Sequence, residues 1–194
     1  MSENDWDREV DVLVVGTGNG GLTAAVCNWE MGSKDVLVIE KQDKVGGTSA
    51  MSGGGIWIPN SHYAQEAGAE DSLDDAKRYL INTLFGEDVP EDMIDTYLEK
   101  SPEMLKFLHD RTDVRYESLA EYPDYYTNME GARAGHRSLE PSPIMASELG
   151  DNWKNMTWTH FMMRMFNRIH FTQVEAHLLM VQLPGWKKLL GRLL

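Results

Sequence analysis

Val10-Asp11-Val12-Leu13-Val14-Val15-Gly16-Thr17-Gly18-Asn19-Gly20-Gly21 opens the stretch that decides the fold. An apolar run ends on glycines at G-x-G-x-x-G spacing, positions 16, 18 and 21, and a helix-forming segment follows. A second apolar run, Val36-Leu37-Val38-Ile39, ends on Glu40, where about 20 residues past the glycines this fold places a ribose-binding acid. Strand, glycine turn, helix, strand and acid in that order describe a βαβ dinucleotide-binding unit. Gly16 permits the tight turn, Gly18 lets the backbone approach a pyrophosphate, and Gly21 allows close packing of helix on strand. The helix N-terminus supplies N–H donors and the positive end of a dipole. Asn19, Gly20 and Lys41 flank these positions and count with them as candidate cofactor-binding residues.

Beyond the acid, Gly46-Gly47-Thr48-Ser49 and Ser52-Gly53-Gly54-Gly55 put five glycines into ten residues. Such a track suits a backbone lying against a long, flat ligand, with the Thr48, Ser49 and Ser52 hydroxyls as donors. A mobile loop is the alternative, but Ile56-Trp57-Ile58-Pro59 reads as ordered, buried chain. Spacing alone does not separate FAD from NAD.

GTGNGGLTAA, VIEK and GGTSAMSGGGIWIPN together resemble the N-terminal part of the flavoprotein family that includes fumarate reductases and 3-ketosteroid Δ1-dehydrogenases. The SGGGIWIPN ending is nearer the ketosteroid branch. The resemblance implies FAD as cofactor and a Rossmann-like α/β core with added helices.

A formal charge of -13 and a pI near 4.8 set up a field that repels nucleic acid and anionic membrane. Cys27 is the only cysteine, so no intrachain disulfide forms and a reducing, cytoplasmic setting is expected. It falls inside the first helix, where a small packed side chain is the expectation. Met1–Glu9 has neither a basic n-region nor an apolar h-region, so no signal peptide is expected. No window of about 18 residues is uniformly apolar, and no membrane span is expected.

Along the chain, the pattern predicts a first helix through Met31 ended by Gly32, and an irregular polar stretch over 60–71. Ser72 with Asp75 gives a capping-box-like start to a helix running towards Gly86. A further helix starts at Pro90, and Ser101-Pro102 restarts the chain as another through about His109. A short strand is expected within 114–119, a long ordered functional loop over 120–150, and helical character over 157–183 up to Pro184-Gly185. Six scattered histidines show no zinc-ligand spacing, and no G-x-S-x-G nucleophile motif occurs. After Ile39 no convincing parallel strand pair follows, and 186–194 stops inside an apolar-basic segment. Residues 1–194 therefore read as the N-terminal portion of one FAD-binding domain, with unpaired apolar surface that promotes self-association.

In the 120–150 loop, Tyr122-Pro123-Asp124-Tyr125-Tyr126 precedes Gly131-Ala132-Arg133-Ala134-Gly135-His136-Arg137-Ser138-Leu139-Glu140-Pro141. This too is similar to the ketosteroid dehydrogenases, in which a tyrosine-rich segment precedes a G-R-x-x-E-P stretch. By themselves, tyrosines beside proline more often pack a loop than do chemistry. The resemblance implies a 3-ketosteroid substrate and assigns the active-site phenol to Tyr125, with its neighbours Tyr122 and Tyr126 as the alternatives in register. Desaturation beside a ketone needs a proton acceptor, and a phenol with an ordinary pKa near 10 serves only if its neighbours lower it. Arg133 and Arg137 either order the loop, meet the cofactor pyrophosphate or form surface ion pairs. The family's inserted substrate domain, its late tyrosine and glycine N–H, and its second flavin motif have no counterpart here, so turnover by these residues alone is not expected. A fumarate-reductase-like enzyme acting on a dicarboxylate is the second reading. A non-catalytic flavin-binding remnant is the third.

Overall fold

The computed structural model describes residues 6–161, 164–165, 169–182 and 184–193. In chain order its elements are β1 (Val12–Val15), α1 (Asn19–Glu30), β2 (Val36–Ile39), α2 (Gly47–Met51), β3 (Ile56–Trp57), α3 (His62–Glu66), α4 (Leu73–Thr83), α5 (Glu91–Arg111), β4 (Tyr116–Ser118) and β5 (Ser138–Pro141). A 3-10 helix (Ala146–Asn155), the strands β6 (Arg164–Met165) and β7 (Ile169–His170), and the helices α6 (Gln173–Met180) and α7 (Trp186–Leu193) follow. The chain divides into two units, one comprising residues up to Gly53 with those from Ile144 on, the other Gly54–Pro143.

The first unit is built on the βαβ motif read from the sequence. The β-branched runs pair in parallel, Val12 opposite Val36 through Val15 opposite Ile39. The Gly16 N–H donates to the Ile39 carbonyl at 2.7 Å, so the turn begins one residue after the last pair. Helix α1 ends where expected: Met31 caps it, and Gly32 takes φ +117. The end of the 3-10 helix is tied back to the segment before Gly46, since the Val45 N–H donates to the Asn155 carbonyl and the Thr157 N–H to the Val45 carbonyl, each at 2.8 Å.

The second unit is an antiparallel sheet of order β3-β5-β4 with helices α3 to α5. Ile58, Leu105 and Leu139 form one core cluster, and Ala76, Ile94 and Leu98 another. Ser72 caps α4 as expected, its hydroxyl accepting from the Asp75 N–H at 3.1 Å.

Four expectations are corrected. Ser101-Pro102 does not restart a helix, because α5 runs unbroken from Glu91 to Arg111. Ile94, Leu98, Ser101, Leu105 and Leu108 lie on one buried stripe across the proline. Continuous burial of that stripe outweighs the hydrogen bond that Pro102 cannot donate. Residues 60–71 contain α3, started by the buried Ser61, whose hydroxyl accepts from the Ala64 N–H at 3.2 Å. The 120–150 stretch is not all loop: Ser138–Pro141 is the central strand of its sheet, Leu139 opposite Ile56 on one side and Ser118 on the other. Ser-Leu-Glu-Pro lacks strand periodicity, and only its tertiary neighbours bury it. Among the described residues of 157–183 the α-helix spans Gln173–Met180, and β6 and β7 before it pair antiparallel. Residues 162, 163, 166–168 and 183 of that stretch lie outside the described residues. No helix among the described residues is long and apolar enough to cross a membrane.

Candidate functional site

Thr17 joins the glycine turn to the acid. Its N–H donates to Glu40 Oε2 at 3.0 Å, and its hydroxyl donates to the same oxygen. That hydroxyl accepts from the Gly46 N–H at 2.9 Å. Thr17 is buried, and through it Glu40 and the second glycine pair are fixed to the first. Thr17 stands at a variable position of the motif, and its one mark in the sequence is a hydroxyl side chain between two motif glycines. Glu40 Oε1 accepts from the Gln42 N–H at 3.0 Å. The Thr17 hydroxyl first, then these N–H groups, hold the Glu40 pKa down to about 2. It is an anion at any working pH, and a carboxylate offers about four acceptor positions, so capacity remains for a ribose hydroxyl.

Gly16 and Gly21 of the motif are required by the protein itself, whereas Gly18 and Gly20 are not. Gly16 sits at φ +94, and a Cβ on Gly21 would stand 2.2 Å from the Gly16 carbonyl oxygen. Gly18 has an ordinary φ of -70, and its Cβ would meet only Ser49 Oγ, at 3.5 Å. Nothing in the protein demands glycine there, so a ligand approaching the backbone is the remaining reason. Helix α1 starts with no side-chain cap and no acidic residue in its first turn, which leaves its dipole end open to an anion. The Asn19 N–H donates to Ser49 Oγ at 3.0 Å, and a Cβ on Gly47 would lie 3.7 Å from Gly18 Cα. Gly16, Gly18, Asn19, Gly21, Glu40, Gly46, Gly47 and Ser49 are thus gathered in one place. The arrangement fits the pyrophosphate and ribose of a dinucleotide such as FAD.

Other candidates fall elsewhere. In the glycine track, left-handed Gly46 and Gly47 lead into helix α2, which holds Thr48 and Ser49. The Ser52 hydroxyl donates to the Ser49 carbonyl at 2.9 Å. Gly20 has open space about its Cβ position, and Lys41 is exposed. Gly53 closes the first unit, while Gly54 and Gly55 belong to the second. There Gly54, at φ +73, has a reason of its own: its Cβ would lie 2.9 Å from Pro141 Cγ.

In the second unit the tyrosine segment is held from both sides. Asp124 is buried; its Oδ1 accepts from Trp57 Nε1 at 2.7 Å, and its Oδ2 from Arg137 Nη1 at 2.8 Å and the Arg133 N–H at 2.9 Å. Its own N–H donates to the Arg133 carbonyl at 2.9 Å. Two residues on, the Tyr126 N–H donates to Tyr79 Oη at 3.1 Å. Between these anchors Tyr125 projects with 86 % of its surface exposed. The Tyr126 ring lies beside it, tilted by 57° with centroids 6.2 Å apart, and Tyr122 is exposed at the start of the segment.

Arg137 organises these anchors. It is 1 % exposed, and it grips Asp71 through Nε at 2.9 Å and Nη2 at 2.7 Å while Nη1 also reaches the Gly131 carbonyl at 2.8 Å. Trp57 and Tyr79 flank its guanidinium at 5.7 and 5.9 Å. Burial pushes the Asp71 pKa up, but the Arg137 hydrogen bonds and charge more than reverse this, so it is lowered overall. Of the three readings of Arg137, ordering of the loop is the one its bonds support, and the surface ion pair is corrected to a buried one. Arg133 is partly exposed and donates to Asp75 Oδ2 at 2.5 Å.

A family profile described as an FAD binding domain matches residues 11–193. The 3-oxosteroid 1-dehydrogenase of Mycolicibacterium smegmatis is 40% identical over 149 residues, 77% of this chain and 26% of that protein. The 4-oxocyclohexanecarboxylate 2-dehydrogenase of Sinomonas cyclohexanicum is 40% identical over 142 residues, 73% of this chain and 24% of the relative. Among solved structures, the 3-ketosteroid delta1-dehydrogenase of Sterolibacterium denitrificans, in complex with 1,4-androstadiene-3,17-dione, superposes with a TM-score of 0.85 at 39% identity. That match covers 94% of this chain and 32% of the other. The chain spans about a quarter of the length of the curated relatives it matches. With an open helix N-terminus, a fixed acid and a family match over nearly all its residues, the chain belongs to the FAD binding domain family, and its cofactor is FAD.

Proposed function

We propose that this chain carries the flavin site and one active-site phenol of a 3-ketosteroid Δ1-dehydrogenase, which introduces a double bond between C1 and C2 of its substrate. The FAD pyrophosphate is assigned to Gly16, Gly18, Asn19, Gly20 and Gly21, and its ribose to Glu40 with Lys41. Gly46, Gly47, Thr48, Ser49, Ser52, Gly53, Gly54 and Gly55 are assigned to the rest of the cofactor. The reading carries with it a small-molecule substrate and a reducing, cytoplasmic setting, supported by the single Cys27.

The observation that carries the catalytic part is the exposed Tyr125 between two pinned residues. Desaturation beside a ketone removes a proton from C2 and a hydride from C1. When bound, FAD supplies the hydride acceptor. Tyr125 is the assigned acceptor of the C2 proton: its oxygen forms the new O–H bond while the C2–H electron pair becomes the C1–C2 π bond and the hydride leaves C1. Asp124 and the Tyr126 N–H hold the segment still, so that little ordering remains for the reacting geometry. A dicarboxylate substrate is less well served. Arg78, Arg133 and Arg137, the arginines about this segment, already face Asp75 and Glu130, Asp71 and Asp75, and Asp71 and Asp124.

The test is anaerobic reduction of bound flavin in the full-length protein by 4-androstene-3,17-dione, followed in a stopped flow. Tyr125→Phe is expected to slow reduction roughly 10²–10⁴-fold while flavin content stays at the wild-type level. An unchanged rate would remove Tyr125 from the chemistry. Wild-type flavin that no cyclic ketone reduces would defeat the desaturase reading itself.

A further inference from the structure

Helix α4 ends on a strained residue. After Leu84 the backbone turns through Phe85 at φ +50 and Gly86 at φ +90. The left-handed region suits glycine at a helix terminus, and a bulky aromatic side chain there is an outlier. The ring is not buried in return, since Phe85 remains 63% exposed. It meets Tyr126 edge to face, with centroids 5.1 Å apart and planes at 78°. The Tyr126 ring in turn lies 6.2 Å from that of Tyr125. Phe85, Tyr126 and Tyr125 thus form one exposed aromatic strip within the second unit, with the proposed proton acceptor at one end. Strained backbone that burial does not offset clusters at active sites, ligand clamps and switch regions.

We infer that Phe85 is a substrate-binding residue whose ring extends the Tyr125–Tyr126 surface into a platform for the hydrocarbon rings of a polycyclic ketone, away from the reacting carbons. The inference rests on the reading of Tyr125 as proton acceptor. It also deepens that reading, because the chain is 40% identical to relatives whose names give substrates of two sizes. A strip three rings long gives apolar contact to a fused-ring ketone beyond its reacting ring. A single-ring keto acid does not reach its far end. Its carboxylate would also look for an arginine, and Arg78, Arg133 and Arg137 are each engaged by acidic side chains.

The experiment compares Phe85→Gly and Phe85→Leu with wild type in the full-length, FAD-loaded protein, using 4-androstene-3,17-dione and 4-oxocyclohexanecarboxylate as probes. Glycine at 85 removes the ring and also the strain, so the melting temperature is expected to hold or rise. The steroid KM is expected to rise about tenfold, the loss of one aromatic contact, with kcat within about twofold. Phe85→Leu is expected to fall between. KM for the keto acid, where it is turned over, stays unchanged. Steroid KM values that stay put in both variants overturn the inference, as do equal rises for both probes accompanied by a lower melting temperature, which would mark Phe85 as packing. If Tyr125→Phe slows flavin reduction while the Phe85 variants leave KM alone, only the platform fails. If wild type turns over neither probe, the desaturase reading and the platform fail together.

Discussion

Glu40 takes its properties from a residue 23 positions away. The Thr17 hydroxyl and N–H, with the Gln42 N–H, keep its carboxyl pKa at about 2, against an ordinary value of 4.5. Because the folded value is depressed, the stabilisation from this contact is present above pH 4.5 and is lost as the pH falls towards 2. Thr17→Val deletes the hydroxyl that donates to the carboxylate and accepts from the Gly46 N–H. The variant is expected to melt lower at pH 7, and the gap between it and wild type should narrow as the pH falls from about 5 to about 2. Thermal melts over that range check this, and a gap that does not depend on pH would mean that Thr17 acts by packing alone.

Helix α5 shows how one element overrides a local signal. Pro102 lacks the N–H that an interior residue donates to the carbonyl four places back, and its ring crowds that carbonyl. The helix continues because Leu98 and Leu105, in core clusters on either side of the proline, are both buried. Pro102→Ala restores the donor without touching the buried stripe. It is expected to stabilise the protein by about 1 kcal/mol, well short of the roughly 3 kcal/mol that separates the two residues in an ordinary helix, since the native helix has already adjusted to the ring. Urea unfolding would show this as a higher midpoint at unchanged slope. A lower midpoint would mean that the packing of α5 depends on the proline ring.

On the scale of the whole molecule, the parallel pair β1–β2 has one face open. Leu13 and Val15 alternate onto the same side and are 54% and 75% exposed, paired with Leu37 and Ile39 of the neighbouring strand. Val14 points the other way, towards α1, where a Cβ on Gly21 would come within 3.4 Å of its Cγ1. Parallel sheets are ordinarily covered on both faces, and a contiguous apolar face open to water promotes association. Residues 1–194 by themselves are therefore expected to self-associate, and Val15→Lys should shift the sedimentation profile towards monomer. A monodisperse wild-type monomer at micromolar concentration would contradict this.

The sequence by itself determined what depends on short-range pattern. Two β-branched runs, glycines at fixed spacing and an acid after the second run specify a βαβ unit, because the steric needs of its turn and helix packing are local. Gly32 and Ser72 marked helix ends for the same reason. Tertiary structure alone decided the rest. Thr17 became the bridge between turn and acid only when Glu40 and Gly46 were brought beside it. Ser138–Pro141 became a central strand because β3 and β4 supplied partners on both sides. Arg137 carries no mark in the sequence that separates it from Arg133, yet it is buried between Asp71 and Asp124 while Arg133 stays partly exposed. A charge enters a protein interior only where partners distant in sequence satisfy it, and that condition is written in the fold rather than in the neighbouring residues.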